Sequence, residues 1–139
     1  MQTTKTSTIL ALDVGERRVG VAAANSLARL ARPLTTLERT AEFWDRLGAV
    51  IAEEAAETVV VGLPRNLSGA DTAQTRSTRQ FIAELEERFE LPVQTQDEAL
   101  TSVQAEAELK KRGKQFQKAD VDALAALYIL EDYLGQPHA

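Results

Sequence analysis

Cysteine is absent from the 139 residues, histidine occurs once, and no apolar run reaches the length of a membrane span. The first absence excludes a disulfide scaffold, a thiolate zinc site and a cysteine nucleophile together. The lone His138 stands one residue from the end of the sequence, which weighs against a histidine-centred mechanism. A membrane span needs roughly 18 to 20 continuous apolar residues, and residues 1–8 are polar rather than signal-like. The expectation is therefore a soluble, cytoplasmic protein. Internal repeats, low-complexity tracts and linkers are also lacking. Because domains commonly run about 100 to 150 residues, residues 1–139 are expected to form one domain.

What is present suits a globular core, with 44% hydrophobic and 27% charged residues. Residues 9–13 (ILALD) form an apolar run ending in a carboxylate before Gly15, which predicts a buried strand entering a turn. Residues 19–24 predict a second strand. Residues 33–37 (PLTTL) predict a third, with Pro33 at its first position, where a missing N–H is tolerated. Thr40 is placed to cap a helix through residue 56, on which Phe43, Leu47, Val50 and Ile51 share one face. The β-branched run 58–63 (TVVVGL) reads as a strand covered on both faces. A loop over 64–70, a helix from 71 or 72 to 89 and a strand over 92–95 follow, then helices over roughly 101–112 and 119–134 with a break at 113–118. The order βββαβαβαα implies an α/β fold with a mixed five-stranded sheet flanked by helices.

The net charge of −5 argues weakly against general polyanion binding, but the charges are segregated. Acids crowd the helices, whereas Arg17, Arg18, Arg29 and Arg32 lie near the first strands, Arg65, Arg76 and Arg79 near the fourth, and Lys110, Lys111, Arg112, Lys114 and Lys118 near the C-terminal helices. The last group fits two roles: complementing a helix dipole, or meeting phosphates with salt-dependent affinity. Phe116 within it fits packing under a loop or stacking on a base.

A carboxylate closing an apolar strand is costly unless paired, hydrogen-bonded or metal-bound, and Asp13 holds that place. It could instead cap the Gly15 turn; Gly15 and Gly20 fit either case, since both allow tight turns and close approach of a ligand. Asp97 and Glu98 follow the fifth strand, and Asp122 lies on the last helix among Ala119, Ala123, Ala125 and Ala126, small neighbours that let this helix approach the sheet. Each acid taken alone has a structural role available, as a helix cap or first-turn acid. Together, without histidine or cysteine, they suggest hard oxygen ligands for magnesium or manganese. Such sites support two-metal phosphoryl chemistry, with ions about 3.5 to 4 Å apart.

Five segments in order, LALDVGERRVGVA (10–22), ARPLTTL (31–37), VVVGLPRNLSG (59–69), DEALTSVQAE (97–106) and KADVDALAALYILEDYL (118–134), resemble the YqgF/RuvX family of RNase H-like proteins, known as pre-16S rRNA nucleases and Holliday junction resolvase-like proteins. The resemblance covers nearly the whole length. It implies an RNase H-like fold and a catalytic, metal-binding triad of Asp13, Glu98 and Asp122, which is expected to require Asp13 and strand five to be adjacent in the sheet, since Glu98 would otherwise lie too far from Asp13. It further implies a magnesium or manganese cofactor, and products with 5′-phosphate and 3′-hydroxyl ends. Arg17, Arg18, Arg65, Arg79 and Lys118 become candidates for positioning a nucleic-acid backbone. One departure stands out: the family pattern places Arg after the acidic pair, and this sequence has Ala99.

The expected activity is metal-dependent hydrolysis of RNA in 5′-end processing of pre-16S rRNA. Resolution of branched DNA is the alternative, and it calls for a symmetric homodimer because two matched cuts need two sites. A non-catalytic RNA-binding assembly factor is a second class. A phosphotransferase is a third, since DVGERRVG is also similar to the first phosphate loop of actin-like and sugar kinases, but a chain this short lacks the second such domain and has no P-loop.

Overall fold

Apolar and small residues fill both faces of a sheet. The computed structural model describes residues 7–65, 68–98, 107, 110 and 118–137, the side chains at 118 and 119 excepted. In it β1 (Thr8–Val14), β2 (Arg18–Asn25) and β3 (Ala31–Glu38) form an antiparallel meander. Strands β4 (Ala56–Pro64) and β5 (Val93–Glu98) extend it in parallel from the other side of β1. The order β3-β2-β1-β4-β5 makes the expected mixed five-stranded sheet. Helices α1 (Phe43–Glu54), α2 (Ala73–Arg88) and α3 (Lys118–Leu134) fall where the sequence predicts helices. The further helix expected over 101–112 lies outside the described residues apart from Ala107 and Lys110, both helical. The break expected over 113–118 lies outside them too, except that Lys118 already belongs to α3.

Successive strand side chains point to opposite faces. Leu10, Leu12 and Val14 of β1, with Val19, Val21, Val59 and Val61, meet Phe43 and Leu47 of α1 and Phe81 and Leu85 of α2. Ala11, Ala22, Ala24 and Val60 meet Ala126, Ile129 and Leu130 of α3 on the other face. The side chains on the α3 face are the smaller, and two of its strand positions are glycine. A Cβ on Gly62 would lie 2.4 Å from Ile129 Cδ1, and one on Gly20 would lie 1.9 Å from the Asp122 carbonyl oxygen. The first half of α3 therefore rests on bare backbone of β2.

Several boundaries differ from expectation for local reasons. Pro33 is the third residue of β3, not the first; it is accommodated because β3 is an edge strand and its pairing to β2 shifts register between Val21 and Ala22. Thr40 does not cap α1, which begins after Glu42 without a side-chain capping bond. Thr40 instead offers its carbonyl to the Phe43 N–H at 3.1 Å. Ala55 turns left-handed at φ 51° and ends α1, so Ala56 belongs to β4. Thr72 caps α2 reciprocally with Thr75, and Phe89 is its C-cap. The β5 ladder to β4 runs from Val93 to Glu98, which makes Asp97 and Glu98 strand residues rather than residues beyond a strand.

Candidate active site

On the α3 face of β1 the side chains run Ile9, Ala11, Asp13, so the apolar surface turns acidic at the strand's end. Asp13 pairs with Gly20 across the antiparallel ladder, and the Asp122 backbone sits over Gly20 with no room for a Cβ. The missing side chain at Gly20 is what lets α3 bring Asp122 beside Asp13. Burial pushes the Asp13 carboxyl from 3.8 up to about 7, and the charge of Asp122 adds to the rise. A neighbouring negative charge opposes ionisation of a desolvated carboxyl; such a place favours a proton or a cation.

Among the described residues the cation bonded to Asp122 is Arg18, the first residue of β2, whose Nε donates to Asp122 Oδ2 at 2.7 Å. The two side chains are 29% and 20% exposed. With Gly15, Glu16 and Arg17 they line a cleft of about 320 Å³. The turn under it is closed by the Gly15 N–H donating to the Arg18 carbonyl at 2.9 Å, and a Cβ on Gly15 would lie 2.8 Å from that same oxygen. Gly15 and Glu16 also border a second cleft of about 590 Å³, lined by Val14, Arg39 and the start of α2. Arg39 steadies the turn between the clefts by donating to the Gly15 carbonyl at 2.9 Å.

The candidate residues are not all brought together. Glu98 is partly buried and pairs with Pro64 at the end of the sheet. By strand alternation it faces the α3 side, while Asp97 faces the other. Strand β4 lies between β1 and β5, however, so Glu98 stands two strands from Asp13. Among the described residues no three potential ligands come together around one point. The assembled pair is Asp13 with Asp122. Its donors are all carboxylate oxygens, which fit a hard divalent cation and no soft one.

Of the expected backbone-positioning cations, Arg17 is exposed at the cleft and Arg18 is engaged with Asp122. Arg65 and Arg79 are committed elsewhere: Arg65 lies 2.6 Å from Asp71 and 3.1 Å from Asp97, and Arg79 lies 3.6 Å from Asp71. The Arg65 N–H also donates to the Glu98 carbonyl at 3.0 Å, so this cluster anchors the end of β5. Lys118 opens α3, and its side chain lies outside the described residues, as do Ala99 and Phe116. Sequence reasoning missed Arg39 and misread Gly20, whose close approach is made by α3 rather than by a ligand. The one signal for Gly20 was a glycine inside an otherwise unbroken strand pattern.

The strand order, the mixed pairing and an acid ending the central strand beneath the last helix define a protein of the RNase H-like fold. The chain belongs to the RuvX family, whose model, described as Holliday junction resolvase, matches residues 7–136. A protein of Dechloromonas aromatica (strain RCB) named "Putative pre-16S rRNA nuclease" is 40% identical over 135 residues, covering 94% of this chain and 92% of that one. One of the same name from Paraburkholderia phytofirmans is 43% identical over 131 residues, covering 92% and 88%. T. thermophilus RuvC, solved in complex with a Holliday junction substrate, shares the fold at a TM-score of 0.50 and 18% identity, across 93% of this chain and 96% of that one.

Proposed function

We propose that the chain is a divalent-metal-dependent nuclease that hydrolyses phosphodiester bonds of structured or precursor RNA. Its role in this reading is 5′-end processing of pre-16S rRNA in the cytoplasm, leaving 5′-phosphate and 3′-hydroxyl ends. The observation that carries the reading is the Asp13–Asp122 pair, in which burial and the charge of Asp122 hold Asp13 near 7 while Asp122 lines a cleft. Membership of the RuvX family and the name borne by its relatives support it.

Asp13 and Asp122 would hold magnesium or manganese; Glu98 lies on the same side of the sheet but beyond β4, and would complete the set only by reaching across that strand. A metal of this kind, when bound, activates water and stabilises charge on phosphodiester oxygens. The chain's residues bind and orient the substrate. Arg17, exposed at the cleft mouth, neutralises a backbone phosphate, which positions a strand without reading its sequence. The turn held by Gly15 and Arg39 fixes where that strand crosses the sheet end.

Resolution of branched DNA by a homodimer is the second reading, favoured by the description of the family model. The test is cleavage of end-labelled structured RNA and of a four-way DNA junction at one salt concentration, with manganese, magnesium or EDTA. Wild type is compared with Asp13→Asn, checked as folded by circular dichroism. The expected outcome is metal-dependent cutting of RNA that the variant lacks. Preference for the junction would shift the assignment to the second reading. RNA binding without cutting by either protein would leave an assembly factor.

A further inference from the structure

Arg18 occupies, at Asp122, the place a cation must take. Its Nε–Oδ2 distance of 2.7 Å is that of a charge-assisted hydrogen bond, and both side chains line the cleft while remaining largely covered. A carboxylate in such a place cannot be left without a counter-charge at small cost, and Asp13 beside it supplies the wrong sign. A divalent ion bound between Asp13 and Asp122 would meet the guanidinium at short range, where like charges repel by several kcal/mol even at an effective dielectric of about 20. Arg18 and the ion therefore compete for one carboxylate.

We propose that Arg18 is an internal counter-ion of Asp122 that a divalent cation displaces, so that metal binding and release of Arg18 toward a phosphodiester are one coupled event. The inference rests on the reading of Asp13 and Asp122 as metal ligands. It makes Arg18 a positioning residue. In the metal-free protein it keeps Asp122 turned to the cleft; once displaced, it offers its donors to a phosphate oxygen at the cleft mouth. Because coupling of binding events is reciprocal, nucleic acid that captures Arg18 raises the affinity for the ion.

The test is calorimetric titration of the whole chain with manganese ion alone, without nucleic acid. Arg18→Met keeps an apolar stem and removes the charge; Arg17→Met removes one charge from the same cleft without touching Asp122. The expected result is that Arg18→Met lowers the manganese Kd by about tenfold or more, the scale of removing a unit charge a few ångströms from the ion. Arg17→Met should stay within about twofold, as for a screened surface charge. Arg18→Lys, which keeps the charge but lacks the Nε–H, should fall between wild type and Arg18→Met and serves if the methionine variant does not fold. Weaker or unchanged manganese binding in Arg18→Met, or an equal effect from Arg17→Met, overturns the inference while leaving the metal site standing. Absence of manganese binding in wild type overturns the metal reading and this inference together.

Discussion

Replacing Asp13 by Asn should make the metal-free protein more stable, and increasingly so as pH rises. In the unfolded chain this carboxyl ionises near 3.8, whereas in the folded one burial and then Asp122 push it to about 7. Between those values the folded state holds the proton that the unfolded state has released, so stability falls as pH rises. The contribution is complete below about pH 4 and lost above about pH 7. Each pH unit within the window is worth about 1.4 kcal/mol, which puts the whole effect near 4 kcal/mol at most. Between pH 5 and pH 8 the advantage of Asn over Asp should grow by roughly 2.5 kcal/mol, or about 10 °C in Tm for a domain of this size. The window is clean because His138 is the only histidine. Urea unfolding in EDTA at pH 5, 6, 7 and 8, for wild type and Asp13→Asn, measures it, and common titrations cancel in the difference. Curves that run parallel across this range would refute the claim that ionised Asp13 strains the fold. Adding excess magnesium or manganese at pH 8 should then stabilise wild type and leave the variant unmoved.

Gly20→Ala should be severe, since its Cβ would lie 1.9 Å from the Asp122 carbonyl and 2.9 Å from the Ala123 nitrogen. Overpacking of this kind costs about 1 to 3 kcal/mol or more, and the first half of α3 must move, so denaturant unfolding and RNA cleavage should both suffer. Thr72→Ala removes the oxygen that accepts from the Thr75 N–H in the reciprocal cap of α2. A loss of about 1 kcal/mol is expected, read by the same denaturation assay. The Asp13 carboxyl lies on the sheet face opposite α2, so the pH dependence of stability should be unchanged.

The strands and the first acid are legible because they rest on local pattern. ILALD ends an apolar run in a charge, and TVVVGL leaves no polar face, so β1, β4 and the place of Asp13 follow from short windows. The helix stripes are equally local: Phe43 and Leu47 on α1 and Phe81 and Leu85 on α2 recur at helical spacing and are buried. Where the reading slips, the deciding contact lies outside the window. Ala55 adopts the left-handed region without a glycine to announce it. Pro33 is tolerated inside β3 because of a register shift against β2. Asp97 and Glu98 are strand residues because β4 continues beside them, which residues 92–98 do not reveal. Arg65 and Arg79 look free in sequence, yet Asp71 and Asp97 hold them.

The site itself joins residues 104 positions apart, Arg18 and Asp122, and no periodicity reports such a contact. What makes it possible is the asymmetry of the sheet. Large side chains on one face keep α1 and α2 at full packing distance, whereas alanine and glycine on the other let α3 settle onto the backbone. The first turns of that helix set Asp122 against the like charge of Asp13, and Arg18 supplies the counter-charge there. Anchorage of the helix comes from farther along, where Ala126, Ile129 and Leu130 are buried against Ala11, Ala22, Ala24 and Val60. Burial of side chains such as Ile129 and Leu130 is worth about 1.5 to 3 kcal/mol each, comparable to the strain assigned above to Asp13. The second half of α3 thus helps to hold the first half over Gly20, and truncating Ile129 to Ala should move Asp122 as well as weaken the core. That variant should therefore show a smaller Asp13-dependent change of stability with pH than wild type. An unchanged pH dependence alongside a lowered stability would mean that Asp122 is held at Gly20 independently of the distal packing.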